Sequence, residues 1–268
     1  MKDSWKSSDA YENFMGRWSR HVAKSFLKWL SPSTGQKWLD VGCGSGALSE
    51  AIINEYKPAR LIAIDQSIEF VTDVQKRLGQ LLHCQVGNAL ALPVEDASVD
   101  ITVSGLVLNF ISDPIKALNE MKRVTTSNGT IAVYIWDYAG IMEFLTRFWD
   151  AAVRLDPRAF KLHESHRFPD SHAESLTEQF HKAGIVNIET APIEINTFFE
   201  NFDDYWNSFL GGQGPAPTFL HTLNEIERRR LRNMLFEELP IQPDGSIPLV
   251  ARAWGAKGKF NQEGNVRY

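Results

Sequence analysis

WLDVGCGSGAL, residues 38–48, sets three glycines at alternate positions between two runs of different periodicity. Trp38 to Val41 is a short apolar run carrying Asp40 near its end, and from Ala47 onward the apolar residues fall at helical spacing. The stretch reads as a strand, a tight glycine turn and a helix. Open α/β sheets bind ligands at such a turn, outside the carboxyl ends of the strands.

The pattern continues outward as an alternation. KWLDV is followed by helical ALSEAIINEY, strand RLIAID, and a helix over SIEFVTDVQKRLGQLL with Phe70, Val74, Leu78 and Leu81 on one face. Then come the short run CQV, the turn-rich ALPVEDASVD, strand ITVSGLVLN, helix DPIKALNEMKRVT and strand GTIAVYIW. Asp113 before Pro114 fits an N-cap with proline in the first turn, and Ser127-Asn128-Gly129 is a turn signal. Strands separated by helices imply a parallel sheet covered on both faces.

Residues 1–33 read as a helical N-terminal cap, with Phe14, Trp18, Val22, Phe26 and Leu30 about four apart. The main domain is expected over 34–258, with helical insertions at about 139–182 and 200–245 acting as a lid, and 259–268 as a loose tail. Within the insertions, 140–155 and SLTEQFHKAG read as helices, 157–172 as a loop and about 201–240 as a second helical stretch. IVNIETAPIEIN and SIPLVARAWGAK read as the last two strands.

The 268 residues carry a net charge of -5, so no excess of Lys and Arg calls for a nucleic-acid partner. Two cysteines, Cys43 and Cys84, are too few for a disulfide framework and lack zinc-site spacing. No apolar run is long enough to suggest a signal peptide or a membrane span, so a cytoplasmic setting is expected, with the oligomeric state open.

The loop differs from the dinucleotide fingerprint G-x-G-x-x-G. Gly42, Gly44 and Gly46 read G-x-G-x-G, and Asp40 would repel a pyrophosphate while suiting a ligand with an ammonium group. Asp65 ends the second strand, where it can accept hydrogen bonds from both hydroxyls of a ribose. An amine at the first strand and a ribose at the second describe S-adenosylmethionine; an NAD-dependent reductase fits less well.

LDVGCGSG, IAIDQS and the block LPVEDASVDITVSGLVLNF…ISDPIKALNEMKRV together resemble the class I S-adenosylmethionine-dependent methyltransferases, over roughly residues 36–137. The resemblance implies a Rossmann-like doubly wound sheet of seven strands, mostly parallel, with an antiparallel last strand. It implies S-adenosylmethionine as cofactor, with S-adenosylhomocysteine as product, and a small-molecule methyl acceptor. The cofactor-binding residues it implies are Asp40, Gly42, Cys43, Gly44 and Gly46 in the first motif, Asp65, Gln66 and Ser67 in the second, and Ser104, Gly105 and Leu106 at the fourth strand end. Where the family has G-D-A, this chain has Gly87-Asn88-Ala89, so Asn88 and Ala89 take the adenine contact with less charge assistance. Arg17 and Trp18 of YENFMGRWSR are added as residues covering the cofactor, Arg17 near its carboxylate.

Trp136, Asp137 and Tyr138 end the fifth strand and should share its rim, with Trp136 and Tyr138 as acceptor contacts and Asp137 as either a base or a turn former. In KLHESHRFPDSH the three histidines lack the H-E-x-x-H pattern, so no metal site is expected; His166 is a candidate base, and Arg167 suits an anionic acceptor. Asn109 reads as structural, and FLGGQGPAP as a gating lid or a plain inter-helix loop. The rival functions are methylation of RNA or protein, and a non-catalytic protein that only holds S-adenosylmethionine.

Overall fold

The computed structural model describes residues 12–211 and 214–260. Tyr11, the centre of the expected lid at 212–213 and the tail from 261 lie outside the described residues. The sheet has seven strands in the order β3-β2-β1-β4-β5-β7-β6: β1 Lys37–Val41, β2 Arg60–Asp65, β3 His83–Val86, β4 Val99–Gly105, β5 Thr125–Trp136, β6 Val186–Phe199 and β7 Ile247–Lys259. β1 pairs in parallel with β2 and β4, β2 with β3, and β4 with β5, whereas β7 runs antiparallel to β5. The order reverses between β1 and β4, the place where a doubly wound sheet opens its ligand crevice.

The helices are α1 Arg17–Leu30, α2 Ala47–Tyr56, α3 Ile68–Leu78, α4 Pro114–Val124, α5 Glu143–Leu155, α6 Ala173–Lys182, α7 Phe202–Asn207, α8 Pro215–Thr222 and α9 Glu225–Glu238. Their ends follow local chemistry. Ser67 caps α3 by accepting the Phe70 N–H, Asp113 caps α4 by accepting the Lys116 N–H ahead of Pro114, and Asn224 with Glu227 forms a capping box on α9. Phe14, Trp18, Val22, Phe26 and Leu30 are all buried, as their four-residue spacing requires.

Four boundaries depart from the sequence reading. α3 stops at its C-cap Gly79, and Leu81, expected on its buried face, is 59% exposed. β4 ends at Gly105 because Leu106 adopts a left-handed backbone (φ 63°), and a 3₁₀ turn follows over Leu108–Phe110. Ser127-Asn128-Gly129 is not a turn ahead of the strand. It lies inside β5, where Asn128 (φ 65°) falls at a register shift between the Val99–Thr125 and Ile101–Thr130 pairs, so the bend is absorbed as a bulge. Residues 157–172 are not an open loop: a 3₁₀ helix, Pro157–Leu162, and one helical turn, Glu164–Arg167, occupy most of them.

The described residues divide into two compact units. One comprises Ala23–Ile135, Ala173–Pro192 and residues from Trp254 on, and holds β1 to β4 and nearly all of β5. Its core joins Leu39, Val41, Ile62 and Ile64 to Leu118, Met121, Val133 and Phe180. The other comprises residues up to Val22, Trp136–His172 and Ile193–Ala253. Its interior is aromatic: Phe148 stacks on Phe209 at 4.4 Å, and Phe144, Phe199 and Tyr205 pack around them. Among the described residues no helix is long and apolar enough to cross a membrane.

Candidate functional site

The glycine loop leaves β1 with all three glycines at positive φ, Gly42 at 75°, Gly44 at 50° and Gly46 at 83°, a backbone that side-chain-bearing residues adopt at a cost. Each glycine meets a different surrounding. A Cβ on Gly42 would come within 2.7 Å of the Val107 side chain, whereas a Cβ on Gly44 would meet nothing within 4 Å. Gly42 is therefore a packing glycine, and Gly44 stands beside open space.

The loop is folded back on β2. The N–H groups of Gly42 and Cys43 both donate to the Ile64 carbonyl, Gly46 N–H donates to Cys43 O, and Gly44 N–H donates to Asp65 Oδ2 at 2.9 Å. These four donors are thus engaged within the protein, which does not suit a nest for a phosphate. Gly46, the N-cap of α2, offers no side-chain cap, and in the first turn of α2 the Ser49 amide serves the Asp40 carboxyl instead.

Asp65 closes the loop's other side. Its Oδ1 accepts the Ser67 N–H at 2.8 Å while Oδ2 holds Gly44, which leaves each oxygen a further lone pair. Burial lifts its carboxyl above the ordinary range against the downward pull of the Ser67, Gly44 and Gln66 amides. Asp40 is fully buried. Ser49 Oγ donates to its Oδ2 at 2.7 Å, while Oδ1 is shielded from solvent without a hydrogen-bond partner among the described residues. Burial pushes its pKa up to about 7, and the Ser49 hydrogen bond pulls only partly against that. An adjacent cation would restore the carboxylate, and the unpaired Oδ1 is the atom that fits an ammonium group.

At the neighbouring strand ends, Ser104 Oγ donates to Val41 O at 2.8 Å, clamping β4 to β1. Gly105 lies against Tyr134, where a Cβ would come within 2.5 Å of the phenol oxygen, and Leu106 N–H donates to Tyr134 O. Asn88 Oδ1 accepts the Leu90 N–H at 2.9 Å, so one lone pair of the amide oxygen expected at adenine is spent on its own turn; Ala89 beside it is buried. The Cys43 and Cys84 sulfurs lie 3.9 Å apart, both buried, with the hydrogen bond between them and then burial holding Cys43 well above the ordinary thiol range. Cys43 thus turns its side chain inward, against Cys84. All of these residues belong to one unit, and the structure brings them together.

The remaining candidates lie in the other unit. Arg17 stacks over the rings of Trp18 and Phe199 at 4.4 and 4.5 Å, and its Nη1 donates to Asp204. Trp18 is buried against Phe144 and Phe199. Asp137 is buried in an ion pair: Arg252 donates to its Oδ2 through Nε at 2.7 Å and Nη2 at 2.6 Å, and Ile141 N–H donates to the same oxygen. Tyr138 stacks on Phe168 at 5.2 Å, and Arg167 lies over the same ring at 5.0 Å. Phe168 thus joins two of the expected acceptor contacts and was missed because a lone loop phenylalanine carries no pattern. Trp136 is buried, and the exposed His166 packs on the Phe160 ring. His163 accepts the Ser165 N–H through Nδ1, and burial lowers its pKa. Among the described residues no cluster of His, Cys, Asp or Glu is arranged to hold a metal.

Residues 39–133 match the model of the methyltransferase domain family. An uncharacterized methyltransferase of Schizosaccharomyces pombe is 38% identical over 99 residues, 37% of this chain and 38% of that protein. The malonyl-[acyl-carrier protein] O-methyltransferase of Halorhodospira halophila is 28% identical over 262 residues, 92% of this chain and 85% of that protein. The chain spans only 38% and 34% of the length of the first two curated relatives it matches. In fold it is similar to a phosphoethanolamine N-methyltransferase of Haemonchus contortus in complex with S-adenosyl-L-methionine, with a TM-score of 0.59 at 18% identity, covering 95% of this chain and 56% of that one. With the strand order, the glycine turn and the carboxylate ending β2 already in place, these matches make the chain similar, over residues 39–133, to the methyltransferase domain family, and similar in fold to a protein solved with S-adenosyl-L-methionine.

Proposed function

We propose that this chain transfers a methyl group from S-adenosylmethionine to a small-molecule acceptor. The observation that carries the reading is the Asp65 carboxylate, tied to Gly44 and Ser67 with lone pairs to spare at the end of β2. Asp65 would hold the ribose hydroxyls, flanked by Gln66 and Ser67; Asp40 Oδ1 would hold the amino group; Asn88 and Ala89 would border the adenine. Ser104, Gly105 and Leu106 would line the reacting end, with Arg17 and Trp18 as the covering residues of the N-terminal helix.

The cofactor, when bound, supplies a methyl carbon already activated by a sulfonium. The protein's task is then positioning, exclusion of water and, for an acidic acceptor, uptake of a proton. Asp137 is committed to Arg252, so the reading favours His166, which is exposed, of the two candidate bases. Trp136, Tyr138 and Arg167 remain the proposed acceptor contacts. One relative that aligns with this chain over 85% of its own length is an O-methyltransferase, which supports oxygen as the atom methylated. A cytoplasmic setting accords with this reading.

The test is calorimetric titration of S-adenosylhomocysteine into the wild type and Asp65→Ala, with NAD as control. Binding to the wild type that is lost in the variant supports the reading. A wild type that ignores S-adenosylhomocysteine, or prefers NAD, overturns it.

A further inference from the structure

Asn109 sits in the 3₁₀ turn Leu108–Phe110 that leaves the carboxyl end of β4. Both atoms of its side-chain amide, Oδ1 and Nδ2, are shielded from solvent, and neither has a hydrogen-bond partner among the described residues. A buried amide unpaired at both ends is costly, and a leucine of similar size would avoid that cost. The turn around it is firmly held. Leu106 N–H donates to Tyr134 O at 2.7 Å, Val107 presses on Gly42, and Leu108 is buried. Through Val107 the turn therefore abuts the first glycine of the loop, and the amide that it carries lacks a counterpart among the described residues.

We propose that Asn109 binds the methyl acceptor, pairing with a non-reacting edge that presents an N–H beside a C=O, as a carboxamide or lactam does. An asparagine amide matches such an edge with two parallel hydrogen bonds, Nδ2–H to the carbonyl and Oδ1 from the N–H. The assignment rests on the methyltransferase reading and deepens it. The cofactor is the poorer counterpart. Its ammonium, ribose and adenine groups have Asp40, Asp65 and Asn88, and its remaining polar group is a carboxylate, which satisfies Nδ2 but faces Oδ1 with another acceptor. Because the amide does not titrate, Asn109 orients the acceptor and removes no proton. In the transfer itself the carbon–sulfur bond breaks with its electron pair kept by sulfur, the acceptor oxygen forms the new bond, and its proton passes to water.

Thermal unfolding and S-adenosylhomocysteine calorimetry on the wild type, Asn109→Leu and Asn109→Gln test this, together with methylation of salicylamide, salicylate and phenol. Asn109→Leu is expected to melt no lower than the wild type and to keep its S-adenosylhomocysteine affinity within about threefold. Salicylamide is expected to be methylated in preference to the other two, and to lose that advantage at least about tenfold in Asn109→Leu, with partial recovery in Asn109→Gln. A marked fall in melting temperature makes Asn109 structural, and a selective loss of S-adenosylhomocysteine affinity makes it a cofactor contact; either overturns the proposal. Preference for salicylate or phenol overturns it as well. If none of the three is methylated, retained stability with retained affinity supports the assignment, and loss of either defeats it. A wild type that binds no S-adenosylhomocysteine defeats the methyltransferase reading instead.

Discussion

Asp65 Oδ2 accepts the Gly44 N–H at 2.9 Å, so the residue assigned to the ribose also fixes the middle of the glycine loop. Removing the carboxylate should therefore cost affinity twice, through the lost ligand contacts and through a loosened loop. Hydrogen bonds to a charged group contribute about 1.5–3 kcal/mol each, so Asp65→Ala should weaken S-adenosylhomocysteine binding about 100-fold or more. Asp65→Asn, which can still accept from Gly44 through its amide oxygen, should lose less. Equal losses in the two variants would show that the loop tether contributes nothing.

Asp40 gives the site a pH signature. Its carboxyl moves from an ordinary 3.8 to about 7 on folding, so between those values the native chain holds a proton that the unfolded chain has released. Its contribution to stability is therefore greatest below pH 3.8, falls as pH climbs towards 7 and is level above that. Asp40→Asn should accordingly gain in melting temperature relative to the wild type across that interval. Ligand binding runs the other way: an ammonium needs the carboxylate, so affinity for S-adenosylhomocysteine should fall as pH drops below about 7, with proton release at binding. Titrations in buffers of different ionisation enthalpy read that proton directly, and binding without proton release at pH 6 would place the amino group elsewhere.

Much of this site is legible in the sequence because it is local. β1, α2 and β2 fall where KWLDV, ALSEAIINEY and RLIAID place them, since each ends at a glycine, a proline boundary or a carboxylate that the chain itself announces. The misread boundaries share a cause. Leu81, Leu106 and Asn128 are decided by backbone conformation at single residues, which hydrophobic periodicity does not report. The partners of Asp137 and Arg17 lie 115 and 187 residues away, and nothing near either residue signals them. Asn109 illustrates the converse: the side-chain amide of a residue that reads as structural in the sequence has no hydrogen-bond partner among the described residues.

The Asp137–Arg252 pair predicts that Asp137 matters for folding before it matters for chemistry. Its carboxylate is buried, Arg252 is partly exposed, and a Cβ at Gly140 would come within 2.4 Å of the carboxylate, so the turn is built around it. Removing one partner of such a pair costs about 2–4 kcal/mol, discounted for the water Arg252 retains. Asp137→Asn should then melt about 5–10 °C lower while the folded fraction keeps its S-adenosylhomocysteine affinity. An unchanged melting temperature with a collapse of turnover would restore Asp137 as a base.

Gly105 offers the sharpest separation of packing from binding. A Cβ there would meet the Tyr134 oxygen at 2.5 Å and two ring carbons at 2.6 and 2.8 Å, and Tyr134 is itself buried. Overpacking of this kind costs about 1–3 kcal/mol when neighbours must shift. The ring would have to move at the point where Leu106 N–H is tied to the Tyr134 carbonyl, so the strain should pass into the segment that carries Val107 and Asn109. Gly105→Ala should therefore lower the melting temperature, and it should weaken acceptor use more than S-adenosylhomocysteine binding. Pairing it with Tyr134→Leu, which removes the clashing ring atoms, should recover stability relative to Gly105→Ala alone. A double variant no more stable than the sum of the two single losses would place the cost of the methyl group outside the tyrosine, and the clash would not be its source.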